Sequence, residues 1–285
     1  MTTEPPRPAR PWAPDDFAAA LATARGAGLP LKAFPGAAPS TLPEAYEAQA
    51  AAIDAWAGEI VGWKVGRIAD FAKQELAEDR FIGPIFAETV RRGDDGPVYF
   101  DVIAGGTAAL EVEFVARLRI DADPARIYDA DEVSLLIDDV FLGIEVAGSP
   151  APDLNSLPSL LSIAAFGNNL GLILGPSVGD WSRERLHTLA CSATIDGLVA
   201  GSGGAGNVPG GISTAIAFAL NKAASLGRPL KAGALISTGA VTGIHPVRVG
   251  QSLEARFGDI GRIDAVTIAL VPRAMASSFK RQNPS

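Results

Sequence analysis

Between Ala109 and Ile120 the chain alternates without a break. Leu110, Val112, Phe114, Ala116, Leu118 and Ile120 fall on one face of a strand, and Glu111, Glu113, Val115, Arg117 and Arg119 on the other. Successive strand side chains point to opposite sides, so two carboxylates stand on one face about 7 Å apart, one strand repeat. That spacing lets them share a hard divalent cation. On period alone the commoner meaning is a half-exposed strand with a charged outer face.

Helical spacing marks residues 16–25, with Phe17, Leu21 and Ala24 on one side. It also marks residues 42–58, opened by Thr41 and Glu44 as a capping box. Residues 60–66 predict a strand, residues 70–77 a short helix, and Gly83-Pro84 a turn within 81–89. From residue 97 the texture is strand-rich, at 97–103, 108–120, 139–147, 169–174, 189–195 and 234–238, with a short helix at 131–137. Asp196-Gly197 is a hairpin signal, after which residues 201–211 read as loop. Residues 213–226 give the clearest helix, capped by Ser213 and stopped by Gly227 with Pro229 beyond. Residues 253–257 and 263–270 predict a closing hairpin around 258–261. Helices in front and strands behind predict an α+β fold with a β-rich core. The expected organisation is an N-terminal helical segment with the strand carrying Lys64 over residues 1–95 and a β-rich core over residues 96–285, together one structural unit.

Composition narrows the chemistry. A chain of 285 residues can bury a large core, and a net charge of -8 argues against a nucleic-acid partner. One cysteine, Cys191, excludes an intramolecular disulfide and a thiolate zinc site. Two histidines, His187 and His245, leave little for histidine-based metal sites or Ser-His-Asp chemistry. A metal, if bound, must be held by carboxylate oxygens, which points to Mg²⁺ or Mn²⁺. Residues 1–16 lack a basic start followed by an apolar run and read as a flexible arm, not a signal peptide. The longest apolar region, residues 157–178, is interrupted by Pro158, Gly167, Asn168, Asn169 and Gly171. It falls short of the roughly 18 apolar residues of a membrane helix, so a cytoplasmic protein is expected.

Two lone charges stand inside apolar runs. Glu145 interrupts Phe141 to Gly148, and a buried carboxylate needs a partner: a metal ion, an arginine or a hydrogen-bond network. Lys64 interrupts Val61 to Gly66 and either snorkels to solvent or serves a site. Gly62 and Gly66 beside it leave room for a ligand near the backbone.

Val61-Gly62-Trp63-Lys64-Val65-Gly66, Leu110-Glu111-Val112-Glu113 and Gly143-Ile144-Glu145-Val146-Ala147-Gly148-Ser149 follow one another in a recognisable order. Asn168-Asn169-Leu170-Gly171, Ala223 to Leu230, Leu235-Ile236-Ser237-Thr238-Gly239-Ala240 and Phe257-Gly258-Asp259-Ile260-Gly261 continue it. The set resembles the 2-oxopent-4-enoate (2-hydroxypentadienoate) hydratase branch of the fumarylacetoacetate hydrolase superfamily, over roughly residues 60–270. The resemblance implies a mixed β-roll or sandwich with flanking helices. It implies a three-carboxylate site for Mg²⁺ or Mn²⁺ at Glu111, Glu113 and Glu145, with Lys64 working beside the metal. It also implies a small-molecule 2-oxo or 2-hydroxydienoic acid as substrate, addition of water to give a 4-hydroxy-2-oxo acid, and a homo-oligomer. Ser237, Thr238 and Gly239 would give donors to the substrate, or form a plain strand-end turn.

One position departs from that pattern. In the hydratases an acidic residue some way after the lysine assists catalysis. Counting back from Gly83 to Phe86, that position falls on Phe81, with Asp79 near enough to take its part. The related 4-oxalocrotonate decarboxylases share the lysine and the metal residues, so 2-oxo acid decarboxylation is the alternative. A catalytically weak metal-binding subunit supporting a partner enzyme is another. The hydrolases of the superfamily use a histidine that neither His187 nor His245 supplies, which disfavours C–C hydrolysis.

Overall fold

The computed structural model describes residues 13–35, 37–68, 76–93, 96–152 and 154–272. The arm expected over residues 1–16 and the helix expected over residues 70–77 lie largely outside this set. Helix α1 (Pro14–Ala27) and helix α2 (Leu42–Trp56) come first. Thr41 caps α2 by accepting the Glu44 N–H, while the Glu44 carboxylate reaches past Thr41 to the Ser40 N–H and hydroxyl. The box is thus displaced by one residue on its return arm.

Strands β1 (Ile60–Arg67), β2 (Arg80–Phe86), β3 (Val90–Arg92), β4 (Val98–Val102), β5 (Thr107–Leu118), β6 (Ile137–Ser149) and β7 (Asn169–Ser177) follow. Two short helices, α3 (Ser159–Ala164) and α4 (Arg183–Thr188), flank β7. Then come β8 (Cys191–Ile195), β9 (Leu198–Gly203), helix α5 (Gly211–Ser225), β10 (Leu235–Ser237), β11 (Ile244–Pro246), β12 (Ser252–Phe257) and β13 (Gly261–Ala269). An eight-stranded sheet runs β2-β1-β10-β5-β6-β7-β3 with β11 added beside β5, and a five-stranded sheet runs β4-β13-β12-β8-β9.

Several sequence expectations need correction. Residues 81–86 are strand, not turn, although Pro84 lies inside it. β2 is the end strand of its sheet, where a missing N–H leaves no ladder bond broken on the open side. Residues 201–203 belong to β9, because Asp196 and Gly197 both take positive φ (50° and 78°) and turn the chain into a tight hairpin. Ser213 does not cap α5; the helix starts two residues earlier behind Gly210, whose φ is 67°, and Ser213 is buried within it. The helix expected at 131–137 shrinks to a 3₁₀ turn at Val133–Leu136, and Ile137 already begins β6. β5 stops at Leu118, which leaves Ile120 half exposed. The short pieces β3, β11, α3 and α4 have no period long enough to announce them.

The even-numbered face of β5 packs on the second sheet, where Phe114 meets Phe257 edge-on with ring centroids 5.4 Å apart. Leu110, Val112, Phe114 and Ala116 share one contiguous core with Ala255 and Ile263, and with Phe17, Leu21, Ala48 and Ile53 of the two leading helices. Truncating a ring such as Phe114 to alanine in this layer costs about 3–5 kcal/mol. The odd-numbered face looks the other way, and it too is buried over residues 109–116. A second, smaller apolar cluster of Ile85, Val115, Phe141, Leu172, Leu174 and Leu235 closes one end of that face. The acidic residues occupy the other end.

Candidate metal centre and cavity

The register of the first sheet brings the charges together. β5 and β6 pair antiparallel with Glu111 opposite Glu145 and Glu113 opposite Gly143. A Cβ on Gly143 would lie 2.5 Å from the Val115 side chain, so the glycine keeps space open beside Glu113. β10 joins β5 to β1 and sets Lys64 opposite Ser237 on the same face. The result is a cluster in which Glu111, Glu113 and Glu145 offer oxygens that all lie within 4.8 Å of one another. Exposures of 5%, 0% and 0% rule out a charged solvent face.

Each member is held differently. The Lys64 ammonium, itself 3% exposed, sits 3.1 Å from Glu145 Oε1. Asn169 Nδ2 donates to the same oxygen at 3.1 Å. Glu113 Oε2 accepts from the Ser237 hydroxyl and from the Gly239 N–H, the latter at 2.9 Å. Glu113 Oε1 and Glu145 Oε2 are buried and have no hydrogen-bond partner. Orphaned carboxylate oxygens at such depth are costly unless something of opposite charge meets them.

Burial drives the electrostatics. It pushes the Glu111 and Glu113 carboxyls up to about 7 and that of Glu145 up to about 8, although Lys64 pulls each of them down. Burial also disfavours the Lys64 ammonium, but Glu145, Glu111 and Glu113 outweigh it and leave that group above its usual range. Fully ionised, three carboxylates and one ammonium leave two negative charges over, which is the charge that one divalent cation neutralises. Oxygens within 4.8 Å of one another suit ligands each about 2.0–2.6 Å from a single ion. The donor set, its charge and its orphaned oxygens therefore fit Mg²⁺, Mn²⁺ or Ca²⁺.

A cavity of about 890 Å³ opens above the cluster. Glu111, Lys64 and Phe81 line it together with Arg67, Arg80, Asn155 and Asn168. Thr238 and Gly239 also form part of the wall. The Thr238 hydroxyl donates to the Phe114 carbonyl at 2.8 Å, and the Ser237 hydroxyl is engaged by Glu113. Asp79 is not brought to the cavity wall; its side chain is 45% exposed and both its oxygens accept from Arg80 at 3.0 Å. Arg80 in turn donates to the Pro209 carbonyl.

Sequence reasoning passed over the support behind the cluster. Asn169 stands out in the sequence as a break in an apolar run and as part of the resembling Asn168-Asn169-Leu170-Gly171, but with no role attached, yet it holds Glu145. Phe166, Gly167 and Asn168 all take positive φ (56°, 64° and 57°), a left-handed turn that reverses the chain into β7. It nests against β2, where a Cβ on Gly83 would lie 2.4 Å from the Phe166 carbonyl oxygen. From below, the buried Arg25 of α1 donates to the Asn169 and Leu170 carbonyls at 2.7 and 3.2 Å.

The sequence matches no family model. Among solved structures, 4-oxalocrotonate decarboxylase from Pseudomonas putida G7, complexed with magnesium and adipate, is similar over 91% of this chain and 100% of its own, with a TM-score of 0.75 and 21% identity. Fumarylpyruvate hydrolase from Pseudomonas aeruginosa, complexed with Mn²⁺ and pyruvate, is similar over 73% of this chain and 89% of its own, with a TM-score of 0.53 and 15% identity. 2-Hydroxyhepta-2,4-diene-1,7-dioate isomerase from Mycobacterium marinum is similar over 74% of this chain and 76% of its own, with a TM-score of 0.52 and 17% identity. The two sheets and their flanking helices are thus the mixed α+β roll of the fumarylacetoacetate hydrolase type.

Proposed function

We propose that this protein is a metal-dependent lyase acting on 2-oxo and 2-hydroxydienoic acids, with hydration of a 2-hydroxy-2,4-dienoate as its reaction. The observation that carries the reading is the pair of orphaned oxygens, Glu113 Oε1 and Glu145 Oε2, clustered with Glu111, which lines a cavity. Glu111, Glu113 and Glu145 would hold the ion. When bound there, a divalent cation supplies Lewis-acid stabilisation to the enolate oxygen of a 2-oxo acid.

The remaining work falls to the chain. Hydration of the dienol begins with a proton on the far carbon, giving a conjugated ketone; water then adds its hydroxyl at the β-carbon and its proton at the α-carbon. Lys64 lines the cavity beside Glu111, and this reading assigns it the proton of both steps. Ser237 and Gly239 fix the rotamer of Glu113, as Asn169 fixes that of Glu145. Thr238 and Gly239 form wall against the bound molecule. Asp79 acts at one remove, by holding Arg80 in the wall.

A second reading, decarboxylation, is favoured by the likeness that spans the whole length of the 4-oxalocrotonate decarboxylase. There the bond to a distal carboxylate breaks, its electron pair passes into the dienolate, and CO₂ leaves. Turnover of purified protein with Mg²⁺ on 2-hydroxydienoates and on 2-oxo diacids, following water addition and CO₂ release separately, decides between them. Loss of neither substrate, with or without metal, would end both and leave the supporting-subunit reading.

A further inference from the structure

We infer that Phe81 is the specificity residue of this cavity: its ring lies along the chain carbons of the substrate and selects a neutral, unsaturated tail over one ending in a carboxylate. The inference rests on the 2-oxo acid reading of the metal centre. Four observations carry it.

Phe81 is 5% exposed and lines the same cavity as Lys64 and Glu111. A molecule anchored at the carboxylate cluster therefore shares its cavity with this ring. The ring is fixed in place. Gly66 stands opposite Phe81 in the β1–β2 ladder, and a Cβ there would lie 2.2 Å from Phe81 Cζ. The backbone of β1 has given up a side chain to admit the ring.

The ring also faces a cation. Lys64 Nζ lies 5.4 Å from the ring centroid, inside the range of a cation–π contact. The negative face of an aromatic ring attracts that ammonium and repels a carboxylate. Finally, two of the three basic residues that line the cavity, Lys64 and Arg80, are engaged. Glu145 holds Lys64 at 3.1 Å, and Arg80 binds Asp79 and the Pro209 carbonyl. A carboxylate laid across the ring would lose its water against a face that offers it no donor. A vinyl or alkyl tail loses nothing there and buries apolar surface. Across the cavity, Asn155 and Ser156 offer the polar groups that a water or a hydroxyl needs.

The test is calorimetric, on Mg²⁺-loaded protein, with three non-reacting ligands. Oxalate carries the chelating oxygens and no tail, 2-oxopentanoate adds a neutral tail, and 2-oxopentanedioate has the same carbons but ends in a carboxylate. The expected order is 2-oxopentanoate tighter than 2-oxopentanedioate by about tenfold or more, as for an anion placed without a partner against an apolar wall. Phe81→Ser should shrink that ratio to within about threefold and leave oxalate affinity unchanged, while Phe81→Leu, which keeps an apolar wall, should preserve most of it. Equal or tighter binding of the diacid by the unaltered protein overturns the inference while oxalate binding still supports the metal centre. Failure of oxalate itself to bind overturns the metal-centre reading on which the inference stands. A Phe81→Ser protein that keeps the full ratio also overturns it, because the ring would then not be the selector.

Discussion

Glu111 and Glu145 are directly opposed residues of neighbouring antiparallel strands, both buried, with no protein cation between them other than Lys64 among the described residues. Like charges in that relationship destabilise a sheet. The fold therefore contains a fault that a cation bound there would repair, and this has consequences in solution.

Stability of the metal-free protein should fall as pH rises. Each carboxyl has an ordinary value of 4.5 and a folded value of about 7 or 8. Below 4.5 all are protonated in both folded and unfolded chains, and the fault is silent. Between 4.5 and about 8 the unfolded chain releases protons that the folded chain retains, so stability drops across that window. Tm in a chelator should decrease from pH 5 to pH 8, by about 2–4 °C for each kcal/mol lost. Millimolar Mg²⁺ or Mn²⁺ should flatten the slope, and Glu145→Gln should flatten it without metal. A slope identical in Glu145→Gln and the unaltered protein would remove Glu145 as its source.

The donors behind the carboxylates tune metal affinity. Ser237→Ala frees Glu113, and Asn169→Leu frees Glu145. Each should weaken Mn²⁺ binding by about 10–100-fold, the usual cost of losing an outer-shell hydrogen bond. Electron paramagnetic resonance of free Mn²⁺ gives the number directly.

Lys64→Met should act twice. Turnover should fall by about 10²–10⁴-fold, the range for a positioned acid–base group, while oxalate still binds the loaded protein. Without metal and above about pH 8, where Glu145 is ionised, the variant leaves that carboxylate uncompensated and should lose about 3–5 kcal/mol by urea unfolding, as when one partner of a buried ion pair is removed. Full activity in Lys64→Met would undo its assignment.

Asp79→Asn separates two roles. If Asp79 only orients Arg80, KM should rise by less than about tenfold with kcat nearly unchanged. A kcat loss of 10²–10⁴-fold, together with loss of one limb of the pH profile, would instead place a transferable proton on Asp79.

The parts of this architecture that repeat along the chain were legible in the sequence. Strict alternation put Glu111 and Glu113 on one face, and the isolation of Glu145 and Lys64 in apolar runs marked them as needing partners. What joins those four residues is the pairing of β1, β10, β5 and β6, and register between distant strands leaves no local pattern. For the same reason the facing of Phe81 was open: it depends on its partner Gly66, fifteen positions earlier. Pro84 argued against a strand because sequence cannot say that β2 lies at the end of its sheet. Asn169 needed the left-handed turn at 166–168, where Gly167 and Asn168 suit the required backbone but Phe166 does not announce it.

Arg25 gives the leading helix a mechanical stake in chemistry that it never touches. Its guanidinium grips the two carbonyls at the start of β7, stacked among Trp56, Phe86 and Phe166. The same residue, Asn169, steadies Glu145 with its side chain while Arg25 steadies its backbone. Whatever pulls on α1, whether a neighbouring chain, a fused tag or a shortened front end, pulls through that grip on one of the three carboxylates. An engineer trimming the molecule to its sheets would find the front helices to be its tensioning screw.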